Sequence, residues 1–218
     1  MPDFHLEKEI SSSGLVFGID EAGRGPWCGP VVAACVCWPN YEIPTELAEQ
    51  IDDSKKLSAI KREHLFQLIM QSQALIGIGI ASSIEIDENN ILQATFMAMK
   101  RAIDQVKQNM GITPDAILID GNRLPKDWPF LTKAVVKGDH LSLSIASASI
   151  IAKVTRDKLM KELAKSHPEY GWDKNAGYGT KEHINAIEKF GITSIHRRSY
   201  APIKRYLEEQ NVLLNNKH

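Results

Sequence analysis

Residues 16–26 have the sequence VFGIDEAGRGP, in which a short apolar run ends at two adjacent carboxylates and continues into a Gly-Arg-Gly turn. The apolar residues before Asp20 predict a buried strand. Asp20 and Glu21 are poor core residues, since burying an unpaired carboxylate is costly and favours its protonation. A bound cation would remove that cost. The stretch therefore predicts a carboxylate edge that binds a metal, with a strand running into an acidic surface turn as the alternative.

The turn that follows predicts contacts with a phosphate-bearing ligand. Gly23 and Gly25 would let backbone N–H groups approach a ligand closely. Arg24 lies between them and has the planar, charged head group that suits phosphate. Glycines that serve only a tight turn are the alternative interpretation.

Length and composition indicate an ordinary globular protein. The chain has 218 residues, of which 43% are hydrophobic and 24% charged, enough for one large domain or a domain with a small appendage. No apolar run is as long as a membrane span, and the first residues lack the apolar core of a signal peptide, so we expect a cytoplasmic protein. The three cysteines have no companions at zinc spacing, which favours buried free thiols.

Charge is distributed unevenly along the chain. Residues 151–218 contain 13 Lys and Arg against 8 Asp and Glu, whereas acidic residues predominate in 1–150. Such an asymmetry suits a cation site beside a surface for a polyanion. A solvated surface without a partner would give the same distribution, and both interpretations stay open at this point.

The order of the predicted elements is β-β-α-β-α-β-β-α, which indicates a mixed sheet flanked by helices. We expect residues 1–13 to form a flexible arm, residues 14–165 the catalytic core, and residues 166–218 a helical C-terminal subdomain that contributes to substrate binding. Small residues at 144–149 begin the helix of the core. They would either let it pack tightly on the sheet or leave its start open to a ligand.

Two further apolar runs end at aspartate, at Asp120 and Asp139. If strands 1, 4 and 5 of a five-stranded sheet are parallel, these residues meet Asp20 and Glu21 at one edge. Four neighbouring carboxylates repel one another unless hard divalent cations such as Mg²⁺ or Mn²⁺ neutralise them. Two such ions about 3.5–4 Å apart can hold a scissile phosphate. Neither a Gly-x-Ser-x-Gly nucleophile motif nor a Walker phosphate loop is present in the sequence.

Eight short blocks occur in a fixed order: DEAGRG at 20–25, GPVV at 29–32, DSKKL at 53–57, IDGN at 119–122, VKGD at 136–139, ASIIAKVTRD at 148–157, GYGT at 177–180 and HRRSY at 196–200. On these blocks the chain resembles ribonuclease HII from about residue 14 to residue 205. The resemblance implies a ribonuclease H-like fold and an endoribonuclease that cleaves the RNA strand of RNA–DNA hybrids. It also implies nicking 5′ of single ribonucleotides in duplex DNA by two Mn²⁺ or Mg²⁺ ions, leaving 5′-phosphate and 3′-hydroxyl ends.

The same resemblance implies roles for individual residues. The catalytic metal ligands would be Asp20, Glu21, Asp120 and Asp139, and the substrate-binding residues would be Gly23, Arg24, Gly25, Lys55, Lys153 and Tyr178. The Gly-Arg-Gly turn would meet the ribose 2′-OH, the only local group that separates RNA from DNA. Tyr178 would stack on the next deoxyribose, and the lysines would contact phosphates without reading sequence. We expect a monomer, with a possible replication-clamp contact through the C-terminus after Tyr206.

Two other functions remain open from the sequence. One is a nuclease of the same fold that acts on DNA junctions, and the other is a non-catalytic module that binds hybrids. Loss of a carboxylate would favour the module, and all four are present. Trp27 and Cys28 are bulkier than the residues expected there and could alter the wall of the substrate groove. Ribonuclease HIII carries an extra N-terminal domain, whereas about a dozen residues precede the first predicted strand here, which favours HII.

Overall fold

The computed structural model describes residues 1–11, 14–51, 54 and 57–215. Its five strands are β1 (Val16–Ala22), β2 (Val31–Cys37), β3 (Leu75–Ala81), β4 (Ala116–Asp120) and β5 (Leu131–Val135). They form one sheet in the order β3-β2-β1-β4-β5. β1 is antiparallel to β2 and parallel to β4, and β4 is parallel to β5. The predicted mixed five-stranded sheet with strands 1, 4 and 5 parallel is confirmed.

The α-helices are α1 (His5–Ile10), α2 (Thr45–Ala48), α3 (Ala59–Met70), α4 (Ser83–Met110), α5 (Leu143–Ser166), α6 (Trp172–Asn175), α7 (Lys181–Phe190) and α8 (Ala201–Asn215). Ser58 caps α3 by accepting a hydrogen bond from the Lys61 N–H, as its position in the sequence predicts. Asn90 has a positive φ and interrupts α4. In the described part of the chain, no helix combines the length and apolarity needed to cross a membrane.

The chain divides into two compact units. The sheet unit comprises residues 1–22, 32–80 and 95–155, and the C-terminal unit comprises residues 23–31, 81–94 and everything from 156 onward. These boundaries differ from the expected division at residue 166. The loop after β1 belongs to the C-terminal unit because its backbone bonds there: the Gly29 N–H donates to the Ile195 carbonyl and the Arg197 N–H to the Trp27 carbonyl.

Glycines set the close packing of helices on the sheet. A Cβ on Gly18 would lie 2.3 Å from backbone atoms of Ser144 and Ile145, so only glycine lets the start of α5 rest on β1. Every residue from 144 to 149 is buried. Of the two interpretations of this small-residue run, the structure therefore supports tight packing. Ile76 and Ile78 of β3 pack with α3 and α5. Side chains alternate along a strand, so Gly77 lies on the opposite face of the sheet. There it contacts the Ala102 carbonyl of α4.

Residues 1–11 are packed against the sheet unit, which differs from the expected flexible arm. Phe4 belongs to the hydrophobic core, and Glu7 of α1 is fully buried. The Tyr41 hydroxyl donates to the Ser11 carbonyl at the end of this segment. The physical reason is that Phe4 and Glu7 have partners far along the chain, which no local pattern reveals.

The three cysteines are free and buried, as the sequence predicts. Burial raises the pKa of each thiol to about 12. Their thiolate forms are therefore scarce at neutral pH.

Candidate active site

Three of the four predicted carboxylates lie at the ends of adjacent parallel strands. Asp20 and Glu21 are near the end of β1, and Asp120 is the last residue of β4. The register pairs Ile19 with Ile119, so Asp20 and Asp120 each come directly after a paired position. The carboxyl ends of neighbouring parallel strands share one edge of a sheet, which is where open α/β sheets bind ligands.

Asp20 is a buried carboxyl group beside other acidic residues. Its side chain is buried, with 5% of its surface exposed. Burial, then the charge of Glu21, then that of Asp120 raise its pKa well above the usual range. The Glu21 N–H, 2.7 Å from Asp20 Oδ1, and the Ser149 side chain oppose this shift by hydrogen bonding to the carboxylate. The carboxylates of Asp20, Glu21 and Asp120 therefore repel one another at this edge of the sheet.

Asp139 lies beyond β5 in the 3-10 turn Gly138–His140 and is 4% exposed. The Gly138 N–H donates to Asp120 Oδ1 at 2.7 Å, so this turn is bonded directly to another carboxylate of the set. Nε2 of His140 is 4.0 Å from Asp139 Oδ1. A Cβ on Gly138 would approach the Ile145 side chain to 2.5 Å, which explains the glycine at this contact.

The donor set fits a hard divalent cation. All four side chains offer carboxylate oxygens, the ligands that Mg²⁺ and Mn²⁺ prefer, and their mutual repulsion would be relieved by positive charge. No three of these four described carboxylates have ligand atoms that all lie within 4.8 Å of one another. Among the described residues, the only three Asp, Glu, His or Cys side chains with ligand atoms all within 4.8 Å of one another are Cys28, His183 and His196.

Two lysines are predicted to contact phosphates, and the structure describes one of them, Lys153. Lys153 is half-buried on α5, one turn beyond Ser149, whose side chain bonds Asp20. Ser149 also exchanges a 2.7 Å hydrogen bond with Ser54. Lys55, the next residue, lies outside the described residues.

Within the C-terminal unit, the structure brings the Gly-Arg-Gly turn and Tyr178 together. Gly23 has a φ of +98°, and a Cβ there would collide with the Arg156 side chain. Gly25 is exposed, and a Cβ on it would be 3.4 Å from the Tyr178 ring. The Trp27 N–H donates to the Gly177 carbonyl at 2.8 Å, and Tyr178 is 50% exposed. An exposed aromatic ring thus lies beside an exposed glycine turn.

A buried arginine that the sequence did not single out fixes this turn. Arg197 is fully buried and donates to the carbonyls of Gly23 at 2.6 Å, Arg24 at 3.0 Å and Gly29 at 2.9 Å. Because the carbonyl and the following N–H point in opposite directions across a trans peptide, the N–H groups of Arg24 and Gly25 point away from Arg197. The only sequence signal was the HRRSY block, where nothing local distinguishes buried Arg197 from exposed Arg198.

A second buried arginine, Arg156, holds the rest of the loop. It donates to the carbonyls of Pro30, Ala176 and Cys28. Burial, then the charge of Arg197, lower its pKa to about 10, so it stays positively charged at neutral pH. Cys28 is itself fully buried, whereas the Trp27 ring lies where a Cβ on Gly179 would stand. Of the two bulky residues noted in the sequence, Cys28 is therefore interior.

His183 and His196, the two histidines grouped with Cys28, belong to one hydrogen-bond network. Nδ1 of His183 is 3.0 Å from the Tyr178 carbonyl, which can only accept, so Nδ1 carries the proton. Nε2 of His183 accepts from Trp172 Nε1 at 3.2 Å. Nδ1 of His196 accepts from the Thr193 N–H at 2.9 Å, so His196 donates through Nε2 to His183 Nε2 at 3.1 Å.

This network is a neutral structural element rather than a metal centre. A metal bound between the rings would need a lone pair on Nε2 of His196, and its proton would have to move to Nδ1, which faces the Thr193 N–H. Through His183 the network instead holds the carbonyl of Tyr178.

We expect the His196 ring to stay neutral in the folded protein down to about pH 5. Burial, then the charge of His183, lower the pKa of His196 to about 4, and burial lowers that of His183. An unfolded histidine titrates near pH 6.5, so the contribution of neutral His196 to stability is complete above about pH 6.5 and is lost as the pH falls towards 4. The loss approaches about 1.4 kcal/mol per pH unit. NMR titration of the ring protons tests this, and midpoints above pH 6 would contradict it.

Comparison with known proteins assigns the family. The ribonuclease HII family model matches residues 17–203. The ribonuclease HII of Paramagnetospirillum magneticum is 52% identical over 207 residues, covering 95% of this chain and 99% of that protein. The ribonuclease H2 structure from Pyrococcus horikoshii has a TM-score of 0.72 at 27% identity over 89% of this chain and 98% of that one. The structure of a PCNA:RNase HII complex from Archaeoglobus fulgidus has a TM-score of 0.68 at 24% identity over 85% and 95%, which shows the shared fold. With most of its length matched, the chain belongs to the ribonuclease HII family and is a metal-dependent ribonuclease H.

Proposed function

We propose that this enzyme hydrolyses the RNA strand of RNA–DNA hybrids and nicks duplex DNA on the 5′ side of single embedded ribonucleotides. The products would carry 5′-phosphate and 3′-hydroxyl ends. The observation that carries the proposal is the carboxylate edge: Asp20 is buried beside Glu21 and Asp120, and the turn of Asp139 is bonded to Asp120. Such a concentration of negative charge suits divalent cations and the phosphoryl chemistry that they support.

Asp20, Glu21, Asp120 and Asp139 would hold two Mg²⁺ or Mn²⁺ ions. When bound, the ions would supply an activated water and stabilise charge on the leaving oxygen. The protein's own groups orient the ligands beforehand. The Glu21 N–H and the Ser149 side chain fix Asp20, and the Gly138 N–H fixes one oxygen of Asp120.

Recognition of the ribonucleotide would fall to the Gly-Arg-Gly turn, whose Gly23 follows Glu21 by two residues. Arg197 directs the N–H groups of Arg24 and Gly25 away from the interior, which suits them to meet the 2′-OH and neighbouring phosphates. The exposed ring of Tyr178 would stack on the following sugar and favour a deoxyribose over a ribose there. Lys55 and Lys153 would contact backbone phosphates.

A panel of four labelled substrates tests this function: an all-DNA duplex, the same duplex with one ribonucleotide, an RNA–DNA hybrid and a DNA four-way junction. With Mg²⁺ or Mn²⁺ we expect cleavage of the hybrid and a single nick 5′ of the ribonucleotide. Equal cleavage of the all-DNA and single-ribonucleotide duplexes would contradict the proposal. Preferential cleavage of the junction would favour the other nuclease function instead.

Replacing Tyr178 by Ala should reduce kcat/KM on the single-ribonucleotide duplex by about tenfold or more, because aromatic stacking is worth about 1–3 kcal/mol. Cleavage within a continuous hybrid should fall less, since no deoxyribose follows the cleavage site there. Tyr178→Phe keeps the ring and serves as the matched control. The two substrates are compared in parallel kinetic assays, and an equal loss on both would contradict the stacking role.

Three further expectations remain predictions. They are a cytoplasmic location, a monomeric state, and a contact between a sliding clamp and the chain after Tyr206. The relative from Archaeoglobus fulgidus was solved as a PCNA complex. In this chain Val212 of α8 is 58% exposed, which offers an apolar contact. Titration with a bacterial clamp, comparing the full chain with Val212→Asp, tests the contact.

A further inference from the structure

The N-terminal segment, residues 1–11, is bonded to the chain between the Asp139 turn and α5. The Asp3 N–H donates to the Leu141 carbonyl at 3.1 Å, and the Leu143 N–H donates to the Asp3 carbonyl at 3.0 Å. These two bonds form a short parallel bridge around Ser142. The residues that directly follow the turn of the proposed ligand Asp139 are therefore bonded to the N-terminal segment.

Glu7 makes the central contact of this bridge. Its side chain is fully buried, and its Oε1 accepts from the Ser142 hydroxyl at 2.6 Å and from the Ser144 N–H at 3.0 Å. The Ser142 hydroxyl oxygen in turn accepts from the Ile145 N–H at 3.0 Å. Together Glu7 and Ser142 bond two of the N–H groups that a helix start leaves unpaired, and a carboxylate is favourable at that end.

The contacts continue from Ser142 to the carboxylates. The N–H groups of Ser142 and Leu141 both donate to the Gly138 carbonyl at 2.9 Å, which closes the turn that contains Asp139. The Gly138 N–H then donates to Asp120 Oδ1 at 2.7 Å. An unbroken series of hydrogen bonds thus leads from Glu7 to one proposed ligand and through the turn of another.

We propose that Glu7 is a positioning residue of the active site: it fixes the start of α5 and thereby the turn that carries Asp139. This inference rests on the proposed ligand roles of Asp120 and Asp139. A local cap could stabilise α5 without burying a carboxyl group, yet this helix uses one from 135 residues away. Its second oxygen, Oε2, is buried without a hydrogen-bond partner among the described residues. If the geometry of the turn depends on Glu7, the cost of burying its carboxyl group has a functional explanation.

The test compares Glu7→Ala and Glu7→Gln with Glu9→Ala. Glu9 lies on the same helix but is exposed, with its carboxylate 3.1 Å from Lys133. Loss of the bonds to Ser142 and Ser144 in Glu7→Ala should raise the Mn²⁺ concentration needed for a given rise in Tm by about tenfold. We expect kcat to fall by a similar factor, with KM for the duplex within about twofold of wild type. Glu7→Gln keeps an oxygen that can accept both bonds and should resemble wild type, as should Glu9→Ala.

Ser142→Ala provides a second route if Glu7→Ala does not fold, and it should shift the Mn²⁺ requirement in the same direction by about threefold. A lower Tm in Glu7→Ala or Ser142→Ala with an unchanged Mn²⁺ requirement and kcat would overturn the inference, because Glu7 would then serve stability alone. Failure of the proposed function is distinguishable, since wild type itself would show no Mn²⁺ response or no cleavage.

Discussion

Asp20→Asn should abolish cleavage while leaving the metal-free protein at least as stable as wild type. The two effects have one cause, because Asp20 is buried beside the charges of Glu21 and Asp120. Without metal, the neutral amide removes repulsion among the carboxylates. With metal, the same change removes a proposed ligand, and the loss of several kcal/mol of transition-state stabilisation corresponds to about 10³-fold or more in rate.

The prediction is measured as single-turnover cleavage together with Tm in the presence and absence of Mn²⁺. Wild type should gain stability from Mn²⁺ because the ion binds only the folded state, whereas Asp20→Asn should gain little. Binding of a duplex without metal should be unchanged. Asp104→Asn is the matched control, since Asp104 is an aspartate on α4 that pairs with Lys100 at 2.6 Å. Full activity in Asp20→Asn would remove Asp20 from the ligand set.

Arg197→Met should cause the largest loss of stability of any single change discussed. The substitution keeps much of the buried volume but leaves the carbonyls of Gly23 and Gly29 without their donor, whereas the Arg24 carbonyl keeps the Tyr200 hydroxyl. A buried unsatisfied polar group costs about 1–3 kcal/mol, so two of them should lower the free energy of unfolding by about 4 kcal/mol. Arg197→Lys keeps the charge but not the planar fork, and we expect an intermediate loss.

Thermal and urea unfolding measure this effect, and a drop in Tm of about 10 °C is expected for a chain of this size. Arg198→Met is the control, because the neighbouring side chain is exposed. Loss of the bond to the Gly23 carbonyl should also reduce discrimination between the single-ribonucleotide and all-DNA duplexes at temperatures where the variant is folded. Equal stability of Arg197→Met and Arg198→Met would show that the carbonyl contacts contribute little.

The sheet and its carboxylate edge were predictable because their signals are local. An apolar run that ends at an acidic residue appears three times in the sequence, ending at Asp20, Asp120 and Asp139. Only the family resemblance indicated that Gly25 and Tyr178 act on neighbouring nucleotides, since these residues are far apart in sequence. The binding of Mg²⁺ or Mn²⁺ by the carboxylates, and their part in catalysis, are predictions that the experiments above test.

The remaining features depend on long-range partners. The sequence around Glu7 is that of an ordinary polar helix and does not reveal its contact with Ser142. The loop at 23–31 follows the first strand directly, yet its hydrogen bonds go to Arg156 and Arg197. No window of sequence contains both partners of these contacts, so neither the packed N-terminal segment nor the true unit boundaries could be derived from pattern.

The deeply enclosed thiols have a practical consequence for fluorescence work. Because the pKa of each native cysteine is raised to about 12, maleimide dyes should react very slowly with Cys28, Cys35 and Cys37 near neutral pH. One cysteine introduced at an exposed position such as Gln108 on α4 would then take up nearly all of the dye. The protein can thus be labelled at a chosen point without first removing its own cysteines.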